Sequence, residues 1–75
     1  MQNNIITLYV QLLDEGVDTA RPTQAIDLGN EMFTLLPTEN YDPEDEIWEF
    51  LPGSTVKALD ITDDKGNPIL LAISL

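Results

Sequence analysis

Cysteine and histidine are both absent from this 75-residue chain. Their absence excludes internal disulfides, zinc sites of the usual Cys/His kind, and Ser-His or Cys-His catalytic arrangements within the chain. A chain this short buries only about 60% of the surface that its unfolded form exposes. Its stability must therefore come from an aliphatic core, and 43% of the residues are hydrophobic. We expect residues 1–75 to form one small domain without a cofactor.

Basic residues are scarce, with 3 Lys and Arg against 14 Asp and Glu and a formal net charge of −11. This charge repels phosphate, so we expect neither direct nucleic-acid binding nor attachment to an anionic membrane. A partner would be a basic or neutral protein, whose identity the sequence leaves unknown. An acidic surface that only keeps a small protein soluble explains the same charge.

Long apolar runs are also missing, so no segment of the sequence has the pattern of a membrane-spanning helix. The first residues, Met-Gln-Asn-Asn, carry no positive charge ahead of the apolar stretch, which is unlike a secretory signal. Because the chain has no cysteine to indicate an oxidising compartment, the cytoplasm is the expected location.

Apolar and polar residues alternate through most of the chain, which is the period-two pattern of half-buried strands. In the first segment Ile6, Leu8, Val10 and Leu12 share one side. Further strands are predicted over 23–28, 31–36, 47–51, 55–62 and 68–75. Short strands at this spacing favour an all-β fold, a small antiparallel SH3-like barrel of five or six strands. If the sheet does not close, its edges carry no lysine to protect them, and a homodimer is the alternative to a monomer.

Glycine and proline mark the predicted turns. Gly29-Asn30 fits a two-residue hairpin turn, with glycine supplying the positive φ. Pro52-Gly53 fits a tight turn, and residues 63–67 fit a hairpin loop. These signals separate the predicted strands at regular intervals.

Two places are irregular. Residues 14–21 combine three acids, a glycine and Arg21 ahead of a proline, which predicts a loop. Within 55–62 the apolar residues change from even positions, up to Ala58, to odd positions, from Leu59. A β-bulge at this point would insert one extra residue and so place both sets on the same face.

An acidic segment leads into the only tryptophan. Asp42 is placed to cap a single helical turn, with Pro43 at its first position and further acids near its positive end. Trp48 then alternates with Glu49, which favours a core position for the ring over an exposed contact position. Metal binding by these acids is the weaker interpretation, because the spacing lacks the glycine and the alternation of a calcium loop.

A set of short motifs runs through residues 12–56. They are Leu12-Leu13-Asp14-Glu15-Gly16-x-Asp18, Arg21-Pro22, Leu28-Gly29 and Tyr41-Asp42-Pro43-Glu44-Asp45-Glu46-x-Trp48-Glu49-Phe50-x-Pro52-Gly53-x-x-Val56. This pattern resembles a widespread family of small bacterial proteins that has no established activity, although Ala20 stands where the family often has an aromatic residue. The resemblance implies a compact bacterial cytoplasmic domain and brings no catalytic residues.

No catalytic constellation is visible in the sequence, so we expect a protein that is not an enzyme. Arg21 is the candidate for a brace between two loops, paired with Asp42, Glu44 or Asp45. The candidate interaction residues are Arg21, Tyr41, Asp42, Glu44, Asp45, Glu46, Trp48 and Glu49.

Three functions fit this description. The first is a non-enzymatic interaction module whose acidic loops contact a basic protein. The second is an inhibitor or immunity-type protein whose acids imitate nucleic-acid phosphates, and the third is a structural subunit of a homo-oligomer.

Overall fold

The computed structural model describes residues 4–13 and 19–75, and within these ranges every regular element is a strand. The five strands are Asn4–Leu12 (β1), Thr19–Gly29 (β2), Met32–Leu35 (β3), Thr55–Thr62 (β4) and Pro68–Ile73 (β5). Consecutive strands pair antiparallel and β5 returns to β1, which closes a small barrel. The all-β prediction is confirmed, and the architecture is consistent with an SH3-like barrel.

β1 has the predicted alternation. Leu8, Val10 and Leu12 are buried, whereas Ile5 on the opposite parity is 49% exposed. The strand is uniformly paired with β2 over its whole length, from Asn4 opposite Asp27 to Leu12 opposite Thr19. Long uninterrupted pairing fixes which parity faces the core, because a slip of one residue would turn every side chain over.

β2 begins earlier than predicted, at Thr19, so residues 19–21 of the expected loop belong to a strand. Residues 14–18 of that loop lie outside the described residues. The buried parity of β2 holds Thr23 and Ala25. Burial of Thr23 is compatible with a hydrophobic core because its hydroxyl donates to the carbonyl of Leu36 at 2.6 Å.

The β2–β3 turn lies one residue later than predicted. Its central residues are Asn30 and Glu31, with φ of 55° and 64°, as in a type I′ hairpin turn. Gly29 keeps the predicted positive φ, 86°, but does so beside a register shift that follows Asp27. The glycine therefore allows the register shift in β2, whereas in the turn it is Glu31 that takes the left-handed conformation.

The strand predicted at 47–51 is wrong. Only Trp48 forms a bridge, opposite Leu12 at the end of β1. Two hydrogen bonds hold this bridge: the N–H of Leu13 donates to the carbonyl of Ile47 at 2.7 Å, and the N–H of Glu49 donates to the carbonyl of Gln11 at 2.8 Å. Pairing stops there because β1 ends at Leu12 while the segment turns towards β3.

The β-bulge predicted at Ala58–Leu59 is also wrong. β4 has the predicted bounds, and its pairing with β5 runs without a shift from Lys57 opposite Ile73 to Thr62 opposite Pro68. The parity set by Val56 simply continues, so Leu59 points outward and is 47% exposed.

The core of the barrel is small and aliphatic apart from one indole. Tyr41 and Phe50 pack against it from the segment between β3 and β4. No helix in the described part of the chain has the length and apolar character needed to cross a membrane. The buried hydrophobic residues are Leu8, Val10, Leu12, Ala25, Leu35, Trp48, Val56 and Ala72.

Truncation of Trp48 should unfold most of the protein. The ring is 2% exposed, and Trp48→Ala is expected to cost about 3–5 kcal/mol, comparable to the whole stability of so small a domain. Circular dichroism and urea denaturation measure this effect. Leu59→Ala, at an exposed position, is the control and should cost far less. A Trp48→Ala variant as stable as the control would show that the ring is not a core residue.

Glycine at position 31 should stabilise the protein. Glu31→Gly removes the left-handed strain of a residue with a Cβ, a gain of about 1 kcal/mol before the entropy of the more flexible unfolded chain is subtracted. The expected readout is a higher midpoint of thermal unfolding. Glu31→Gln is the matched control, since it removes the charge alone. An equal rise for both variants would assign the gain to charge repulsion instead of backbone conformation.

Candidate site: an acidic turn fixed to the barrel end

The segment between β3 and β4 crosses the end of the barrel where β1 and β3 finish. Besides its bridge to β1, it is tied back to the end of β3, because the N–H of Gly53 donates to the carbonyl of Leu35 at 2.7 Å. The N–H of Leu35 donates in turn to the carbonyl of Ser54 at 3.0 Å. The predicted tight turn at Pro52-Gly53 is present, with Gly53 at φ 92°. The segment thus covers this barrel end with two anchors.

Residues 42–46 form a single turn, here called the acidic turn. The carboxylate Oδ1 of Asp42 accepts a hydrogen bond from the N–H of Glu44 at 2.9 Å. Its carbonyl accepts from the N–H groups of Asp45 and Glu46, both at 3.0 Å. This is the capped turn expected from the sequence, and its hydrogen bonds hold the acidic backbone in one geometry.

Glu46 links the acidic turn to the barrel through both carboxylate oxygens. Oε2 forms an ion pair with the guanidinium of Arg21 on β2, and Oε1 accepts from the indole Nε1–H of Trp48 at 3.0 Å. The indole donor would otherwise be an unsatisfied polar group at the edge of the core. One carboxylate therefore joins a core residue, a strand residue and the acidic turn.

Tyr41 packs against the indole of Trp48. Its ring meets that of Trp48 edge to face, with centroids 4.8 Å apart and planes at 66°. Such a pair adds about 0.5–1.5 kcal/mol beyond the area that it buries. Tyr41 is half-buried, so it supports the indole and still presents part of its surface to solvent.

The other acids of this region remain exposed. Residues 38–49 contain six acids and no base. Asp42, Glu44, Asp45 and Glu49 are all exposed, and the ion pair of Glu46 with Arg21 is the one salt bridge among the described residues. The acidic turn therefore presents uncompensated negative charge on a fixed backbone.

The contacts of Glu46 keep its carboxyl ionised. The hydrogen bond from Trp48 and then the hydrogen bond and charge of Arg21 lower the pKa of Glu46 from its ordinary value of 4.5, and partial desolvation opposes them. Arg21 is still 44% exposed, so solvent screens the ion pair and limits its contribution to stability.

A cleft of about 490 Å³ lies beside the ion pair. Arg21 and Glu46 line it together with Glu39 and Asn40 from the loop that follows β3. Its charged and amide walls suit a polar or charged group of a partner better than an apolar ligand.

The structure shows how two of the predicted interaction residues, Arg21 and Trp48, are placed. The brace between Arg21 and the acidic turn exists, but its partner is Glu46 and not Asp42, Glu44 or Asp45. Trp48 is a core residue, which was the favoured interpretation. The bond between Glu46 and the indole was missed, although a carboxylate two residues before a buried tryptophan is a usable signal.

No group of three or more acidic side chains is arranged to hold a metal ion in residues 4–13 and 19–75. In the hairpin after β4, the carboxylate of Asp63 serves the turn itself. Asp63 accepts from the N–H groups of Lys65 and Asn67 at 2.9 and 2.8 Å. These bonds, that of Asn67 first, lower the pKa of Asp63.

Comparisons of this chain with protein-family models, with curated proteins and with solved structures found no match. The resemblance over residues 12–56 therefore stays a prediction.

Loss of the Glu46 charge should matter only where the carboxyl is ionised. Glu46→Gln is expected to cost about 1 kcal/mol at neutral pH, the scale of one hydrogen bond with partial charge assistance. Because the folded-state pKa is lowered, this stability is present above the unfolded value near 4.5 and is lost as the pH falls through the folded value.

Urea denaturation of both proteins across the acidic range checks this expectation. The difference in unfolding free energy between the wild type and Glu46→Gln should shrink as the pH falls. Comparing the two proteins removes the effect of all other acids, which are the same in both. A difference that stays constant with pH would contradict a role for the ionised carboxyl.

Proposed function

We propose that this protein is a non-enzymatic interaction module that binds a basic protein through its acidic turn. The observation that carries the proposal is the double contact of Glu46 with Arg21 and Trp48, which ties the acidic turn and its exposed carboxylates to the barrel. A fixed charged surface loses less conformational entropy on association than a mobile loop does.

The charges favour a partner with lysine or arginine on its contact surface. Glu44, Asp45 and Glu49 are exposed and have no basic neighbour in the segment 38–49. Tyr41 lies beside them, and a half-exposed tyrosine is a frequent interface residue. Charge of this kind raises the rate of association and its dependence on salt more than the final affinity.

The position of the acids supports this function over imitation of nucleic acid. Most described acids lie in turns and connecting segments, and only Asp27 and Asp60 lie within strands. An imitation of phosphates requires rows of acids at regular spacing, whereas here one turn concentrates them.

A lysine-rich peptide tests the site directly. Binding of a capped oligolysine is measured by isothermal titration calorimetry at low and at raised salt. The double variant Glu44→Gln/Asp45→Asn should weaken binding several-fold, since each exposed charge contributes up to about 1 kcal/mol. Its matched control is Glu31→Gln/Asp64→Asn, which removes one glutamate and one aspartate elsewhere.

The control separates local recognition from general attraction. The proposal predicts that the control variant binds nearly as well as the wild type and that added salt weakens binding of the wild type. Equal weakening by both double variants would show that the peptide responds to net charge alone, and the acidic turn would not be a site.

A further inference from the structure

The barrel closes through a single paired position. β1 and β5 run parallel, and the only register partners between them are Tyr9 and Leu71. On the same edge, residues 11–13, where β1 ends, are covered by the bridge to Trp48. Residues 4–8 have no strand partner on this edge among the described residues. The other edge of β1 pairs throughout with β2.

The hydrogen bonds at the end of β1 identify the backbone groups that face this edge. The carbonyl of Gln11 and the N–H of Leu13 both point towards the Trp48 segment. In a strand, residues two apart direct their N–H and C=O groups to the same side. Ile5 and Thr7 therefore present backbone donors and acceptors to the open edge, whereas the groups of Leu8 face β2.

A cleft of about 500 Å³ borders this open edge at Thr7. Thr7 and Tyr9 of β1 form one wall, and Ile69 and Leu70 of β5 form the other. Below the Tyr9–Leu71 pair no further register partners join the two strands within the described residues. An open edge inside a cleft is the geometry that accepts an added strand.

The charge of the cleft selects the occupant. Asp60 and Asp63 line it, and no lysine or arginine is among its described lining residues. Asp60 is exposed. A second copy of this chain also has a net charge of −11, so the two copies would repel each other. Its own β1 has no charged residue that could pair with the aspartates of the cleft. A segment bearing lysine or arginine would instead neutralise the two aspartates.

We propose that residues 4–8 of β1 accept an extended, lysine- or arginine-bearing segment of another protein as an additional strand. This site is separate from the acidic turn. The acidic turn lies at the barrel end where β1 finishes, whereas the cleft lies where β1 begins and the β4–β5 hairpin turns. Main-chain hydrogen bonds between β1 and the added segment would supply the affinity, and Asp60 would favour a segment with a positively charged side chain.

A short capped peptide of alternating lysine and valine is the probe. The peptide is titrated into the uniformly labelled protein while backbone amide resonances and amide hydrogen exchange are followed. Strand addition should slow the exchange of the Ile5 and Thr7 amides and leave that of Leu8, already paired with β2, nearly unchanged. Binding that leaves Ile5 and Thr7 unprotected would overturn the proposal, as would no binding at all.

Two N-methylated peptides test the main-chain contacts. The two peptides carry N-methyl groups on opposite sets of alternate residues, so each has one edge of its strand blocked. The peptide whose blocked edge faces β1 should bind more weakly by roughly fivefold for each lost hydrogen bond. The other peptide has its methyl groups on the edge away from β1 and should bind like the unmethylated peptide. Equal affinity of both peptides would exclude strand addition.

Protein variants separate this site from the acidic turn. Asp60→Asn should weaken peptide binding several-fold, whereas Asp64→Asn, in the same hairpin but outside the cleft, should not. Glu44→Gln/Asp45→Asn removes charge from the acidic turn and weakens only the binding there, so peptide-induced protection of the Ile5 and Thr7 amides should persist in it. Loss of that protection in this variant alone would overturn the proposal. Sedimentation of the free protein is the last check, since a homodimer closed through residues 4–8 would likewise overturn it.

Discussion

Burial of one indole is the constraint on which this small barrel depends. With no cross-link and few aromatic residues, the chain places Trp48 across the barrel end where β1 and β3 finish. The ring has a polar N–H that must be satisfied, and the carboxylate of Glu46 satisfies it. That carboxylate also binds Arg21. The same side chain therefore satisfies the indole N–H and fixes the position of the acidic turn.

This coupling explains how a strongly acidic chain keeps an ordered acidic surface. Mutual repulsion among the acids favours a loose turn, and a solvent-exposed ion pair alone contributes little against it. The contact with a buried side chain is different, since it cannot be released without exposing an unsatisfied donor. Release of the turn therefore costs a hydrogen bond of a core residue, while its outer carboxylates stay exposed to a partner.

The sequence predicted the fold class and both end residues of β4, because alternation and turn residues are local signals. It failed where long-range geometry decides. Whether residues 47–51 pair depends on where β1 ends, and the phase of β4 depends on its pairing with β5. The partner of Arg21 was missed for the same reason, since several carboxylates compete and only the crossing of the barrel end brings Glu46 close.

The odd number of strands has a consequence for engineering. In a closed meander of five strands the first and last run parallel, so residue 4 and residue 73 lie at opposite ends of the barrel. A circular permutant that joins them must cross the height of the sheet, roughly 20–30 Å for strands of this length. A connector of about nine extended residues is the shortest that spans this distance. Proteins fused at the two positions would accordingly be held apart by the full height of the barrel.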